Sequence, residues 1–230
     1  RLPAAAPADH EAHRREIVAR PNLIIDVRRN NGGSDSSYAP IVPIVAANVT
    51  RTPNAEFLAT PDNIAASEAV CKLPEVAAAV CSKFMAPVIE AMKAAPSGSY
   101  VLPTGAPRIE VEVPHRVLAS PRRVAVMIDR SCGSSCEEFV LVVRQSFKVK
   151  TFGRPTAGSL DYSNLRPHDL PAGKRRIFYA TSRSLRLPSN PIDASGIGPD
   201  QLLPIPESEA AFAAEVETVR GVLEGRDPFR

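Results

Sequence analysis

Two short apolar segments, 23–27 and 124–129, most constrain the fold, because each is followed by a turn of small residues. Neither segment alternates polar and apolar residues, so each predicts a strand buried on both faces of a largely parallel sheet. We expect the first of these strands to be central in that sheet. Strands that alternate with helices along the chain indicate an α/β fold with a mainly parallel sheet and flanking helices.

The rest of the chain fits this alternation. The pattern predicts helices over 10–19, within 38–49, over 62–95 and over 207–223, and an edge strand over 109–113. Asp62 is a plausible N-cap, because its short carboxylate can accept hydrogen bonds from the first free N–H groups of a helix. Pro74 and Pro87 predict breaks or kinks in the same helical region, because proline lacks the N–H that an interior helical position needs.

Composition excludes several classes of protein. The chain has 230 residues, 44% hydrophobic and 23% charged residues and a formal net charge of +3, so it can bury a core and lacks the signature of disorder. Its basic pairs are scattered, which makes nucleic acid an unexpected partner. No apolar run approaches the roughly 18–20 residues that cross a bilayer, so we expect no membrane span in this chain.

The four cysteines do not have the spacing of a zinc site, and we expect no metal or organic cofactor. Cys71 and Cys81 can close a short disulfide loop, which fits an oxidising compartment. Two small buried thiols explain the same pair equally well.

Ser134 lies in the turn after the second apolar segment and stands three residues before Glu137. This spacing is typical of a capping box, so a plain helix N-cap is one interpretation. The other interpretation is a nucleophile, because a serine at the positive end of a helix dipole has backbone N–H groups beside it that can stabilise an oxyanion.

Gly32 and Gly33 occupy the corresponding place after the first apolar segment. In a parallel sheet both turns emerge at the carboxyl edge, where ligand sites form, so we expect the two loops to face each other. The glycines either donate N–H groups to an oxyanion or simply allow the chain to turn. No phosphate-binding glycine motif is present.

A nucleophilic serine needs a base, and the sequence does not identify one. No histidine has a spacing that marks a catalytic role; the four are His10, His13, His115 and His168. No lysine lies between Lys150 and Lys174.

Four segments, in this order, resemble the C-terminal-processing (tail-specific) serine proteases and their tricorn-like relatives. They lie at 23–33, 124–139, 153–158 and 196–200. The resemblance implies a ClpP/crotonase-like core with Ser134 as nucleophile and with backbone N–H donors from Ser135 and from Gly32 or Gly33. The chain is more similar to the tricorn-like branch than to the Ser-Lys branch, because no lysine follows 153–158.

In the tricorn-like branch an acidic residue orients a histidine from a segment before the first strand. Asp193 resembles that acid, although a turn-forming aspartate after Pro191 explains it as well. No matching histidine motif is present, so we expect the base to lie outside this chain or to be unmatched, with His168 as a fallback base.

These observations predict an amino-terminal helix or linker from a longer protein over 1–20, a protease core over 21–206 and a carboxy-terminal helix over 207–230. The expected function is hydrolysis of unstructured peptides or protein C-terminal tails through an acyl-enzyme on Ser134. A catalytically inactive peptide-binding or scaffold module of the same fold is the alternative, and thioester chemistry on a crotonase-like fold is a third. The expected partner is a peptide or protein substrate, and the resemblance together with the Cys71/Cys81 pair favours an extracytoplasmic location, periplasmic or secreted.

Overall fold

A computed structural model describes residues 6–73, 78, 81–171 and 173–226, and in it the chain forms two compact units. The first unit contains the described parts of Arg1–Thr52, Val111–Leu160 and Ile192–Arg230, and the second contains those of Pro53–Glu110 and Asp161–Pro191. Parts of three predictions lie outside the described residues: residues 1–5 of the amino-terminal segment, Pro74, and residues 227–230 of the carboxy-terminal helix.

The helices, in chain order, are α1 (Ala6–Ala12), α2 (Arg14–Ala19), α3 (Val42–Val45), α4 (Pro61–Val70), α5 (Ala86–Ala94), α6 (Ser135–Val143) and α7 (Glu209–Leu223). A 3-10 turn covers Asp35–Ser37 and a π-helical turn covers Cys81–Met85. The strands are β1 (Asn22–Asp26), β2 (Thr50–Pro53), β3 (Ala55–Leu58), β4 (Tyr100–Val101), β5 (Ile109–Glu112), β6 (Arg123–Ile128), β7 (Val149–Gly153), β8 (Tyr162–Ser163), β9 (Arg166–Asp169), β10 (Arg176–Tyr179), β11 (Ser182–Ser184) and β12 (Gln201–Leu202).

The first unit is built on a parallel sheet of order β1-β6-β7-β12. In β6 the side chains alternate between two cores: Val126 packs in one with α6, and Met127 packs in the other with α7. Both faces of the sheet are therefore covered, as the apolar segments predicted. The predicted fold class, α/β with a mainly parallel sheet and flanking helices, is confirmed.

The expectation that the first apolar segment forms a central strand is wrong, because β1 lies at one end of the sheet order and β6 is inside it. Leu23 and Ile25 of β1 pack towards one core and Ile24 towards the other, so both faces of the strand are nevertheless in contact with apolar side chains. An apolar run indicates that both faces of a strand are buried, and it does not indicate how many strands pair with it in the sheet.

The second unit has a sheet of order β4-β3-β11-β8, in which the neighbouring strands are antiparallel. A small core that includes Val88 and Met92 of α5 packs against Phe57 of β3. The separate hairpin of β9 and β10 also belongs to this unit. The two-stranded pair of β2 and β5 contains two of the four positions at which the chain passes between the units.

Local predictions of helices were less accurate than those of strands. The helix expected within 38–49 is only the single turn α3, since Pro40 and Pro43 interrupt the stretch. The predicted cap Asp62 is wrong: Thr60 is the N-cap of α4, and its side chain accepts a hydrogen bond from Asn63 N at 3.2 Å. None of the helices in the described part of the chain has the length and apolar character needed to span a bilayer.

Candidate active site

The loops that follow β1 and β6 adjoin at the carboxyl edge of the parallel sheet, as the sequence predicted. Gly133 N donates to Asn30 O at 3.2 Å, so the two loops are hydrogen-bonded to each other. Gly32 has a φ of +93°, and a Cβ on it would lie 2.6 Å from Gly133 O and 2.9 Å from Ser134 Cβ. Only glycine fits here, both because φ is positive and because the serine turn lies against its backbone.

Ser134 departs from an ordinary helix N-cap. Its φ is 55° and its ψ is −124°, whereas N-cap residues normally have extended backbone angles. A residue with a side chain costs on the order of 1–3 kcal/mol in such a conformation, and strain of this kind concentrates at functional sites. A strained serine between a strand and a helix is also the geometry that exposes the nucleophile in α/β hydrolases.

Glu137, which is completely buried, holds this turn in place. One carboxylate oxygen accepts hydrogen bonds from Thr156 Oγ1 at 2.6 Å and Gly158 N at 2.7 Å. The other accepts from Ser159 N at 2.9 Å and from Ser134 N at 3.1 Å. The last contact is the one that the capping-box spacing predicted, but the carboxylate also binds a third loop that the sequence did not associate with it.

Two backbone N–H groups beside Ser134 remain available for an oxyanion. Gly32 N donates to Asn30 Oδ1 at 3.0 Å, so this N–H already has an acceptor. For the N–H groups of Gly33 and Ser135, the described residues supply no acceptor. Ser135 Oγ donates to Gly33 O at 3.0 Å, which ties the two donor-bearing segments together.

Asp193 belongs to the same unit as Ser134 and lies against the loop that Glu137 binds. Its Oδ1 accepts a hydrogen bond from Leu160 N at 2.7 Å. The neighbouring Ala194 N donates to Gly158 O at 2.9 Å. Glu137 and the Asp193 segment therefore hold the same stretch of chain from two sides.

His168, the fallback base, lies in the exposed hairpin of the second unit, opposite Ile177. Its unit is not the one that contains Ser134. His10, which the sequence did not single out, lies in α1 of the first unit. It lines a cavity with Gly32, Gly33 and Ser135, and its buried Nε2 has no hydrogen-bond partner among the described residues.

That cavity has a volume of about 130 Å³ and apolar walls. An apolar cavity of similar size, about 150 Å³, accommodates a benzene ring. Tyr38 and Phe139 contribute two rings with centroids 5.4 Å apart, and burial raises the pKa of the Tyr38 phenol above its usual range. Among the described residues, no three His, Cys, Asp or Glu side chains gather as a metal ion requires.

A parallel sheet, a strained serine at the start of a helix and two N–H groups beside it without a described acceptor form the arrangement that is typical of α/β serine hydrolases. The comparisons with known proteins agree with this class. The sequence model of peptidase family S41 matches residues 5–203 of this chain. The chain belongs to peptidase family S41, whose members are serine peptidases.

Solved structures give the same fold. Mature CPAF has a TM-score of 0.65 at 15% identity over 97% of this chain and 48% of its own, and its complex with lactacystin has a TM-score of 0.64 at 17% identity over 96% and 48%. A protein from Parabacteroides merdae assigned as a peptidase has a TM-score of 0.56 at 18% identity over 94% and 56%. The chain therefore spans about half the length of the solved structures it matches. Comparison with curated proteins gave no match by sequence.

Proposed function

We propose that this chain is the nucleophile-bearing part of a serine peptidase that cleaves unstructured peptides or protein C-terminal tails. The observation that carries the proposal is the strained backbone of Ser134 at the amino terminus of α6, with the N–H groups of Ser135 and Gly33 beside it. A plain N-cap needs neither the strain nor unoccupied donors.

In this mechanism Ser134 Oγ attacks the scissile carbonyl while a histidine takes its proton. The carbonyl oxygen becomes an oxyanion and accepts hydrogen bonds from Ser135 N and Gly33 N. The histidine returns the proton to the leaving amine, and water then releases the acyl group from Ser134. Asp193 orients the histidine, as in the tricorn-like branch that the sequence resembles.

The base is the open element of the proposal. His10 is the candidate within the first unit, because it shares a cavity with Gly33 and Ser135. His168 is the second candidate within the chain, and a histidine from the rest of a longer protein is the third. Catalytic hydrogen bonds are often long or absent without substrate, so the lack of a contact to Ser134 does not reject any of them.

The alternative is a catalytically inactive peptide-binding module. One observation favours it: within the described residues, no hydrogen bond joins Ser134 to a histidine or a lysine. The hydrogen bond that its backbone N–H donates goes to Glu137. Such a module would keep the oxyanion donors and bind a peptide carbonyl or carboxylate without cleaving it.

Covalent labelling with a fluorophosphonate, followed by intact mass, tests the proposal. We expect one label on the wild-type chain, none on Ser134→Ala, and one on Ser135→Ala, whose hydroxyl is the neighbouring control. Loss of labelling in His10→Ala or in His168→Ala identifies the base within the chain. If only a longer chain that extends upstream is labelled, the base lies in the rest of the protein, and absence of labelling from both chains supports the inactive module.

We also propose an extracytoplasmic location. The bond between Cys71 and Cys81, which the sequence left open against two free thiols, is present with a Cα–Cα distance of 5.5 Å. Disulfides persist in oxidising compartments and are rare where thiols are kept reduced. Fractionation of cells that produce the full-length protein tests this location, and recovery of the protein in the cytoplasmic fraction alone would contradict it.

A further inference from the structure

A second disulfide encloses the proposed nucleophile. Cys132 and Cys136 are bonded, so Ser134 is the middle residue of the three that the bond spans. Both cysteines are buried, with 0% and 3% of their surface exposed. A bond between residues four apart closes a very small loop, and this one closes on the strained serine.

Both ends of the loop are also fixed to other parts of the unit. Cys132 O accepts a hydrogen bond from Ala157 N at 2.8 Å, which anchors the start of the turn to the loop that Glu137 binds. Cys136 N donates to Gly133 O at 3.1 Å, and Cys136, in the first turn of α6, belongs to the buried core. The disulfide therefore joins two anchored residues and leaves the chain between them little freedom.

Strained backbone persists only where the surroundings determine it completely. Hydrogen bonds to Glu137 and Asn30 hold parts of the turn, but each can break alone, whereas the disulfide is covalent. We propose that the Cys132–Cys136 disulfide is a positioning element that holds Ser134 in its reactive conformation, so that the reactivity of this serine depends on the oxidised state of the pair. The inference rests on the proposed function of Ser134 as a nucleophile.

The chain supplies its own control. The Cys71–Cys81 disulfide lies in the second unit and encloses no proposed site residue. The double variant Cys71→Ala/Cys81→Ala therefore loses a disulfide without touching the serine turn, and Cys132→Ala/Cys136→Ala loses the other one. Alanine is suitable at the buried pair because it adds no polar atom to the core.

The experiment measures the saturating rate of fluorophosphonate labelling and the apparent affinity for the probe in both variants and in the wild type. We expect the labelling rate of Cys132→Ala/Cys136→Ala to fall by about tenfold to a hundredfold, the range that the strain at such residues corresponds to. The apparent affinity of Cys132→Ala/Cys136→Ala for the probe should change little, and the control variant should keep the labelling rate of the wild type. A merely structural role would lower the labelled fraction and leave the rate per folded molecule unchanged, and that result would overturn the proposal.

Reduction provides a reversible version of the same test in the Cys71→Ala/Cys81→Ala background. A phosphine reductant takes the oxygen of one water and becomes the phosphine oxide, while the two sulfurs of Cys132 and Cys136 gain the two hydrogens. We expect labelling to slow on reduction and to recover after reoxidation, with the two added hydrogens seen by mass. Unchanged labelling of the reduced protein would reject the dependence on the oxidised pair.

If neither this chain nor a longer chain that extends upstream is labelled, the proposed function fails, and amide hydrogen exchange still tests the positioning. The segment 133–137 should then exchange faster in Cys132→Ala/Cys136→Ala than in the wild type and the control. Equal exchange in all three proteins would show that the disulfide does not hold the turn.

Discussion

The strongest prediction concerns Glu137, whose carboxylate is buried and accepts four hydrogen bonds of 3.1 Å or less. We consider Glu137→Gln, which keeps the size of the side chain and removes its charge. An amide has one oxygen and one NH₂ group, so one of the two oxygen positions becomes a donor. If it replaces the oxygen bound to Ser134 and Ser159, two backbone N–H groups lose their acceptor and face another donor.

The magnitude follows from these two groups. A buried donor left without an acceptor costs about 1–3 kcal/mol, so this orientation of the amide would lower the free energy of unfolding by about 2–6 kcal/mol. In the opposite orientation the Thr156 hydroxyl can accept from the amide and only Gly158 N loses its acceptor, at a cost of about 1–3 kcal/mol. The side chain adopts the orientation of lower cost, so we expect a loss of about 1–3 kcal/mol. At about 2–4 °C per kcal/mol for a chain of this size, the midpoint of thermal unfolding should fall by at least about 2 °C.

Urea denaturation of the wild type and of Glu137→Gln measures this loss, and an unchanged m value shows that the same surface unfolds. The control is Glu217→Gln, since Glu217 is exposed and pairs with Arg220 on the surface of α7. Removing an exposed pair of this kind costs about 0–1 kcal/mol. A loss in Glu137→Gln no larger than that of the control would refute the view that this carboxylate organises the turn.

Three further predictions use other contacts. Gly32→Ala should slow labelling of the serine by about tenfold or more because its Cβ would meet backbone. Gly33→Ala meets no atom within 4 Å of its Cβ and is strained only through its φ of +157°, so it should slow labelling less than Gly32→Ala. Because burial raises the pKa of Tyr38, the folded protein keeps this phenol protonated at pH values at which the unfolded chain ionises it. The free energy of unfolding should therefore fall above about pH 10 in the wild type, and it should fall less in Tyr38→Phe. The hydrogen bond from Arg176 lowers the pKa of Asp169, so this pair stabilises the β9–β10 hairpin above about pH 4 and the stabilisation is lost on further acidification. Hydrogen exchange of the β9–β10 backbone amides should therefore become faster below that pH, and Arg176→Gln should abolish this dependence.

The strands and the position of Ser134 could be predicted from sequence because the signals are local. The apolar run of β6, the small residues after it and the spacing of Ser134 and Glu137 all lie within fifteen residues. The same local rules failed at Asp62, where Thr60 followed by Pro61 at the first helical position is the stronger start signal. They also gave no sign that Glu137 would bind Thr156 and the loop after it.

Contacts between distant segments explain the rest. His10 shares a cavity with Gly33 and Ser135 because α1 precedes β1 and packs beside the glycine loop, and no spacing rule contains that relation. The bond between Cys132 and Cys136 was not predicted for a different reason. Residues four apart suggest one face of a helix, whereas here the first cysteine lies in a turn before the helix begins.

The hydrogen bonds around the turn also determine which donors an oxyanion can use. Glu137 takes the N–H of Ser134, and Asn30 takes the N–H groups of Gly32 and Gly133, one through its side chain and one through its carbonyl. Within the described residues, the donors left beside the serine are therefore those of Gly33 and Ser135. In the proposed mechanism a carbonyl oxygen would accept from these two N–H groups, on which the described residues place no competing acceptor, and donors that are free before the reaction need no reorganisation. If Ser134 is the nucleophile that we propose, Glu137 and Asn30 together therefore limit the oxyanion donors to these two, because the N–H groups that they occupy cannot serve.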